Sequence, residues 1–101
     1  MRTLSIIDYG AGNLLSVKRA VEHLGLSVNL ISKRAELEKS ERVILPGVGA
    51  FGLCMDRLNK MNLNEEILDF IHNKQRPFLG ICLGMQMMLS RSFEFGLHEG
   101  L

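Results

Sequence analysis

Apolar residues in this chain switch between two spacings. Four short runs, Leu4-Ser5-Ile6-Ile7, Ser27–Ile31, Arg42-Val43-Ile44-Leu45 and Phe78-Leu79-Gly80-Ile81, have the length and density of buried strands. Between the first two, Leu14, Val17, Val21 and Leu24 recur every three or four residues, which is one face of a helix, and Gly25 is placed to end it. Residues 33–41 are charged and predict a short exposed helix or loop. Residues 50–60 are helical or irregular. Asn62 or Asn64 is placed to cap a helix carrying Leu63, Ile67, Leu68 and Ile71. A last helix is expected over residues 85–90. The order β-α-β-(α)-β-α-β-α predicts an α/β fold with a mostly parallel sheet wound on both faces. In such sheets ligands sit at the carboxyl ends of the strands. Residues 8–13, 46–52 and the turn at Cys82 leave those ends, so the pattern gathers them on one edge.

Composition narrows the setting. With 101 residues the chain is one domain at most. An apolar fraction of 47% and a charged fraction of 23% are ordinary for a globular protein in water. A net charge of +1, with no long run of one sign, leaves no nucleic-acid footprint. No apolar stretch reaches spanning length, and the first residues do not have the form of a signal peptide. Two cysteines, one of them wanted as a free thiol, fit a reducing, cytoplasmic location. No metal or cofactor is expected.

The candidate chemistry centres on Gly80-Ile81-Cys82-Leu83-Gly84. Glycines two places either side of a cysteine, after an apolar run and before a helix, match the nucleophile-elbow pattern with cysteine in place of serine. A helix N-terminus stabilises a thiolate, the attacking species. The next N–H, from Leu83, is placed to donate to an oxyanion. The competing reading of any cysteine is a core residue, and Cys54 is assigned there.

Two glycine-rich loops accompany the elbow. Tyr9-Gly10-Ala11-Gly12-Asn13 carries G-x-G but not the third small residue of a dinucleotide fingerprint. It reads as a tight turn and helix cap, and Asp8 and Asn13 equally suit a surface facing a partner. Pro46-Gly47-Val48-Gly49-Ala50-Phe51-Gly52 has three glycines in six residues, which lets its backbone approach a ligand. Beside an elbow it can supply a second oxyanion N–H, with Gly49 the best donor. Gln86, four residues after Cys82, shares its helical face and is placed either to contact a substrate or to be a satisfied polar group.

Taken together, these segments resemble the class I (triad) glutamine amidotransferases. Gly80-Ile81-Cys82-Leu83-Gly84-Met85-Gln86 is similar to their nucleophile motif. Residues 6–14 and 44–52 are similar to the HisH type, the glutaminase subunits of imidazole glycerol phosphate synthase, and the resemblance runs from residue 3 to about residue 96. It implies a flavodoxin-like sheet, incomplete in this chain, and hydrolysis of glutamine by Cys82. It implies an oxyanion held by Leu83 and by a backbone N–H at Val48 or Gly49, and glutamine contacts from Gln86 and Glu94. It further implies delivery of ammonia to a HisF-like cyclase of (β/α)₈-barrel type, with Asp8 and Asn13 near that partner.

One departure stands out. The family completes its triad with a downstream His-x-Glu segment, whereas His23, His72 and His98 are the only histidines here and none fits that role. The resemblance therefore implies the N-terminal half of a single amidotransferase domain over residues 1–101, poorly active or prone to associate by itself, with the third and fourth strands exposed. The alternatives are a paralogous subunit supplying ammonia in another pathway such as surface-sugar biosynthesis, a non-catalytic flavodoxin-like binding module, or another cysteine hydrolase on a similar sheet.

Overall fold

A computed structural model describes residues 3–10 and 13–101. Its four main strands are β1 (Thr3–Ile7), β2 (Ser27–Ile31), β3 (Val43–Leu45) and β4 (Phe78–Gly80). The helices are α1 (Leu14–His23), α2 (Arg34–Lys39), α3 (Phe51–Lys60), α4 (Asn64–His72) and α5 (Leu83–Met87). A hairpin of β5 (Arg91–Ser92) and β6 (His98–Glu99) follows. The main sheet is parallel throughout, in the order β2-β1-β3-β4. The expected α/β architecture is therefore present.

Strand side chains alternate between two apolar layers, as pleating requires. Ile7, Ile31, Val43 and Leu45 join Leu37 of α2, Phe51, Cys54 and Leu58 of α3, Ile67 and Phe70 of α4 and Met87 of α5 in the larger core. Ile6 and Ile44 face the other way and pack with Val21, Leu14 and Val17 of α1. Phe70 meets Phe78 edge to face, with ring centroids 6.2 Å apart, which seats α4 against β4.

Several details differ from the sequence pattern, each for a local reason. The charged segment 33–41 forms α2 and is not wholly exposed, because Leu37 on its inner face is fully buried. The Glu36 carboxylate accepts from the Ser32 and Lys33 N–H groups and so fixes its start. Neither asparagine caps α4: the N-cap is Leu63, with no side-chain hydrogen bond. Asn62 instead takes the left-handed conformation after α3, with φ 57°, a role asparagine tolerates. Leu24 lies outside α1 and is exposed, while Gly25, at φ +88°, ends the helix as expected. The last helix begins and ends earlier than residues 85–90. β3 is an interior strand and buried. β4 is an edge, and its Leu79 is half exposed on the layer that only α1 covers. Ala11 and Gly12 of the first glycine loop lie outside the described residues.

Because β1, β3 and β4 run parallel, the segments that follow them leave one edge of the sheet. Residues 8–10, 46–50 and 81–82 are thus neighbours in space although far apart in sequence.

Candidate active site

The turn from β4 into α5 is built around Cys82. Its backbone sits at φ 54°, ψ −119°, the dihedrals of the first central residue of a type II′ turn. The Gly84 N–H donates to the Ile81 carbonyl at 2.9 Å and closes that turn. The Cys82 carbonyl accepts from the Met85 and Gln86 N–H groups and starts α5. A left-handed conformation at a residue other than glycine costs on the order of 1–3 kcal/mol. Here it turns the cysteine outward, and Cys82 is exposed where Cys54 is buried.

The flanking glycines answer to close packing. A Cβ at Gly80 would stand 2.7 Å from the Met85 backbone. A Cβ at Gly84 would run into the Leu45 carbonyl of β3. The Ile81 N–H donates to that same carbonyl at 3.0 Å, so the elbow is tied to the sheet centre.

The second glycine loop lies against the elbow. The Leu83 N–H donates to the Gly47 carbonyl at 3.3 Å. A Cβ at Gly47 would come within 2.7 Å of the Gly84 nitrogen and 2.9 Å of the Tyr9 hydroxyl. Val48 and Gly49 are exposed, and Gly49 has φ +100°. The Leu83 amide is therefore next to the Cys82 thiol but engaged. The bond is long, and an oxyanion, which accepts charge-assisted hydrogen bonds, competes for it favourably.

Other candidate residues fall around this centre. Gln86 is exposed on α5, one turn beyond Cys82. Glu94, in the β5–β6 hairpin loop, accepts from the Phe51 N–H at 3.2 Å. One of its carboxylate oxygens thus caps α3 where the 46–50 loop ends. Asp8 accepts from the Gly10 N–H, and Asn13 caps α1 by accepting from the Ser16 N–H. Both have local turn roles. The Arg57 guanidinium donates to the Gly10 carbonyl and holds this turn against α3. Of the histidines, His23 and His72 end α1 and α4 and are exposed, and the His98 ring lies over Gly52 with Nε2 3.2 Å from the Phe95 carbonyl oxygen. A cavity of about 630 Å³ between β1, β2 and α2, bounded by Ser5, Leu30, Glu36 and Arg42, shares no residue with the Cys82 centre.

Tyr9 is a site residue that the sequence alone did not single out. Its ring is buried, and its hydroxyl donates to the Pro46 carbonyl at 2.6 Å and lies 3.5 Å from Met87 Sδ. Burial pushes its phenol well above the ordinary 10.0; nearby Cys54 adds to the shift and Arg57 opposes it. The folded state thus holds this proton more tightly than the unfolded chain does. The resulting stability is intact below about pH 10 and is lost as pH rises beyond it. Denaturant titrations are expected to show stability falling above pH 10, with a shallower fall in Tyr9→Phe.

The model of the class I glutamine amidotransferase family matches residues 5–94. The chain belongs to that family. Among curated relatives, the HisH 1 subunit of imidazole glycerol phosphate synthase from Legionella pneumophila (strain Paris) is 56% identical over 101 residues, covering 100% of this chain and 47% of the relative. The HisH subunit from Rhodopirellula baltica is 47% identical over 98 residues, covering 97% and 47%. The chain thus spans about half the length of the curated relatives it matches. In fold it is similar to a solved structure described as a GMP synthase subunit from Thermoplasma acidophilum, with a TM-score of 0.67, 21% identity, and coverage of 91% of this chain and 47% of that one. Among the described residues, no helix is long and apolar enough to cross a membrane.

Proposed function

We propose that this chain supplies the nucleophile half of a HisH-type glutaminase. The observation that carries the proposal is an exposed cysteine on a strained elbow, with the Leu83 amide and the 46–50 backbone packed beside it. In this reading, Cys82 Sγ attacks the side-chain amide carbon of glutamine. The amide oxygen becomes an oxyanion, held by the Leu83 N–H and by the Gly49 or Val48 N–H. The carbon–nitrogen bond breaks, ammonia leaves with an added proton, and a glutamyl thioester remains. Water then cleaves the thioester to glutamate and the free thiol. Gln86 and the second oxygen of Glu94 contact the bound glutamine.

Turnover needs a group that carries protons to and from the leaving amine, worth about 10²–10⁴-fold in rate. We assign that role to residues that the relatives carry in their remaining half, so the 101-residue piece by itself is expected to turn over poorly. The names of the relatives support imidazole glycerol phosphate synthesis as the destination of the ammonia. The partner in this reading is a HisF-like (β/α)₈-barrel cyclase, docked near Asp8 and Asn13, in the cytoplasm.

The test is reconstitution. The complete gene product, mixed with the cyclase encoded in the same genome and its nucleotide substrate, is expected to form imidazole glycerol phosphate only when glutamine is present. Ammonia release without binding to that cyclase would favour a paralogue serving another pathway. Absence of any glutamine hydrolysis would favour a non-catalytic module.

A further inference from the structure

We infer that Tyr9 and Cys54 are positioning residues for this centre, holding two carbonyls of the 46–50 loop inward so that the Gly49 N–H is presented outward. The inference rests on the glutaminase reading above and adds residues to it.

Two independent contacts carry it. From below the loop, the buried Tyr9 hydroxyl donates to the Pro46 carbonyl at 2.6 Å. The Cys54 thiol, 1% exposed on the inner face of α3, lies 3.6 Å from the Val48 carbonyl and donates to it. In a planar trans peptide the C=O and the following N–H point in opposite directions. With the Val48 carbonyl turned toward the core, the Gly49 N–H must turn away from it, toward the open side. The Gly47 carbonyl is taken by the Leu83 N–H, so the Val48 N–H points away from the nucleophile's amide. Gly49 is left as the loop donor facing outward.

The two pins also act on each other and on the elbow. Tyr9 and Cys54 are close enough for the thiol to raise the phenol's proton affinity. The Tyr9 hydroxyl touches Met87 of α5, the helix that Cys82 begins. One side chain from the end of β1 therefore links the oxyanion loop to the nucleophile helix. Its ring alone would fill the core; the hydroxyl is what fixes the peptide plane. Misplacing a reacting group by about 1 Å costs on the order of 10²-fold.

The test compares two electrophiles on Cys82 in the complete gene product. A chloroketone analogue of glutamine reacts by attack of Sγ on the chloromethyl carbon with loss of chloride, and its ketone oxygen uses the oxyanion donors. Iodoacetamide alkylates the same sulfur without needing them. Mass spectrometry of the Cys82 peptide gives both rates. Tyr9→Phe is expected to lower the chloroketone rate roughly tenfold, below the ~10²–10³ of losing a donor outright, while the iodoacetamide rate stays within about twofold. Cys54→Ala is expected to behave likewise, and Cys54→Ser, which keeps a donor under Val48, to restore the wild-type ratio. Equal losses with both reagents would reduce the pair to structural filling and overturn the inference. Unchanged chloroketone rates in Tyr9→Phe and Cys54→Ala would overturn it too, with the glutaminase reading left standing. A wild-type protein with no preference for the glutamine analogue would remove that reading and the inference together.

Discussion

Cys82→Ala in the complete gene product is expected to lower glutamine hydrolysis by roughly 10⁴-fold or more, with folding unchanged. A nucleophile that acts as a unit with its base loses nearly all of the chemistry when removed, and no second exposed thiol is present among the described residues to replace it. The side chain is exposed, so little packing goes with it. Cys82→Gly separates the two sides of the site further. Glycine occupies φ 54°, ψ −119° without the steric cost that a side chain carries there. That variant is expected to be equally inactive but more stable by about 1 kcal/mol, at the low end of the strain in such conformations. Glutaminase assays beside denaturant midpoints check both statements. Equal stability of the Ala and Gly variants would mean that the elbow is not strained.

The second large effect is structural. Gly84→Ala is expected to destabilise the chain by about 3 kcal/mol, the upper end for overpacking. Its Cβ would occupy the space of the Leu45 carbonyl, which belongs to the backbone of an interior strand. A flexible side chain would swing aside; a sheet carbonyl bonded to the Ile81 N–H does not. The helix α5 would have to lift away, and Leu83 and Met87 would leave the core with it. Such a loss is a large share of a stability near 5–15 kcal/mol. Gly49→Ala is the control. Nothing lies within 4 Å of its added Cβ, so only the backbone cost at φ +100° applies, about 1 kcal/mol at the low end for a side chain in such a conformation. A denaturant midpoint for Gly84→Ala equal to that of Gly49→Ala would contradict the packing account.

What the sequence made legible follows from how far each signal reaches. The two interior strands, β1 and β3, were readable because Ile6, Ile7, Val43, Ile44 and Leu45 form dense apolar runs buried on both faces. The elbow was readable because its glycines and cysteine lie within five residues. α2 was only half readable: one buried leucine, Leu37, among charges carries no periodicity. The β5–β6 hairpin was missed because two-residue strands offer no alternation to detect. Tyr9 was missed as a site residue because its partners lie 37 and 78 residues away. No local pattern announces a hydroxyl whose target is a carbonyl on another strand's loop. The motif puts the Leu83 amide next to Cys82 in the chain, but its bond to the Gly47 carbonyl depends on how that loop packs, which the motif does not encode.

The same distinction applies to exposed apolar surface. Leu79 on the edge strand and Phe93, Phe95 and Leu97 in the hairpin are exposed. An uncovered parallel edge with apolar neighbours favours association. The resemblance implied this for β3 and β4 together; the sheet order makes β3 interior and leaves β2 and β4 as the edges.

Rapid-quench mass spectrometry would test the covalent step most directly. The complete gene product is mixed with glutamine, stopped in acid and digested. A peptide containing Cys82 heavier by one glutamyl group, absent in Cys82→Ala, is the predicted result. Glutamate formed with Cys82 never carrying that group, or the group found on Cys54 instead, would contradict it.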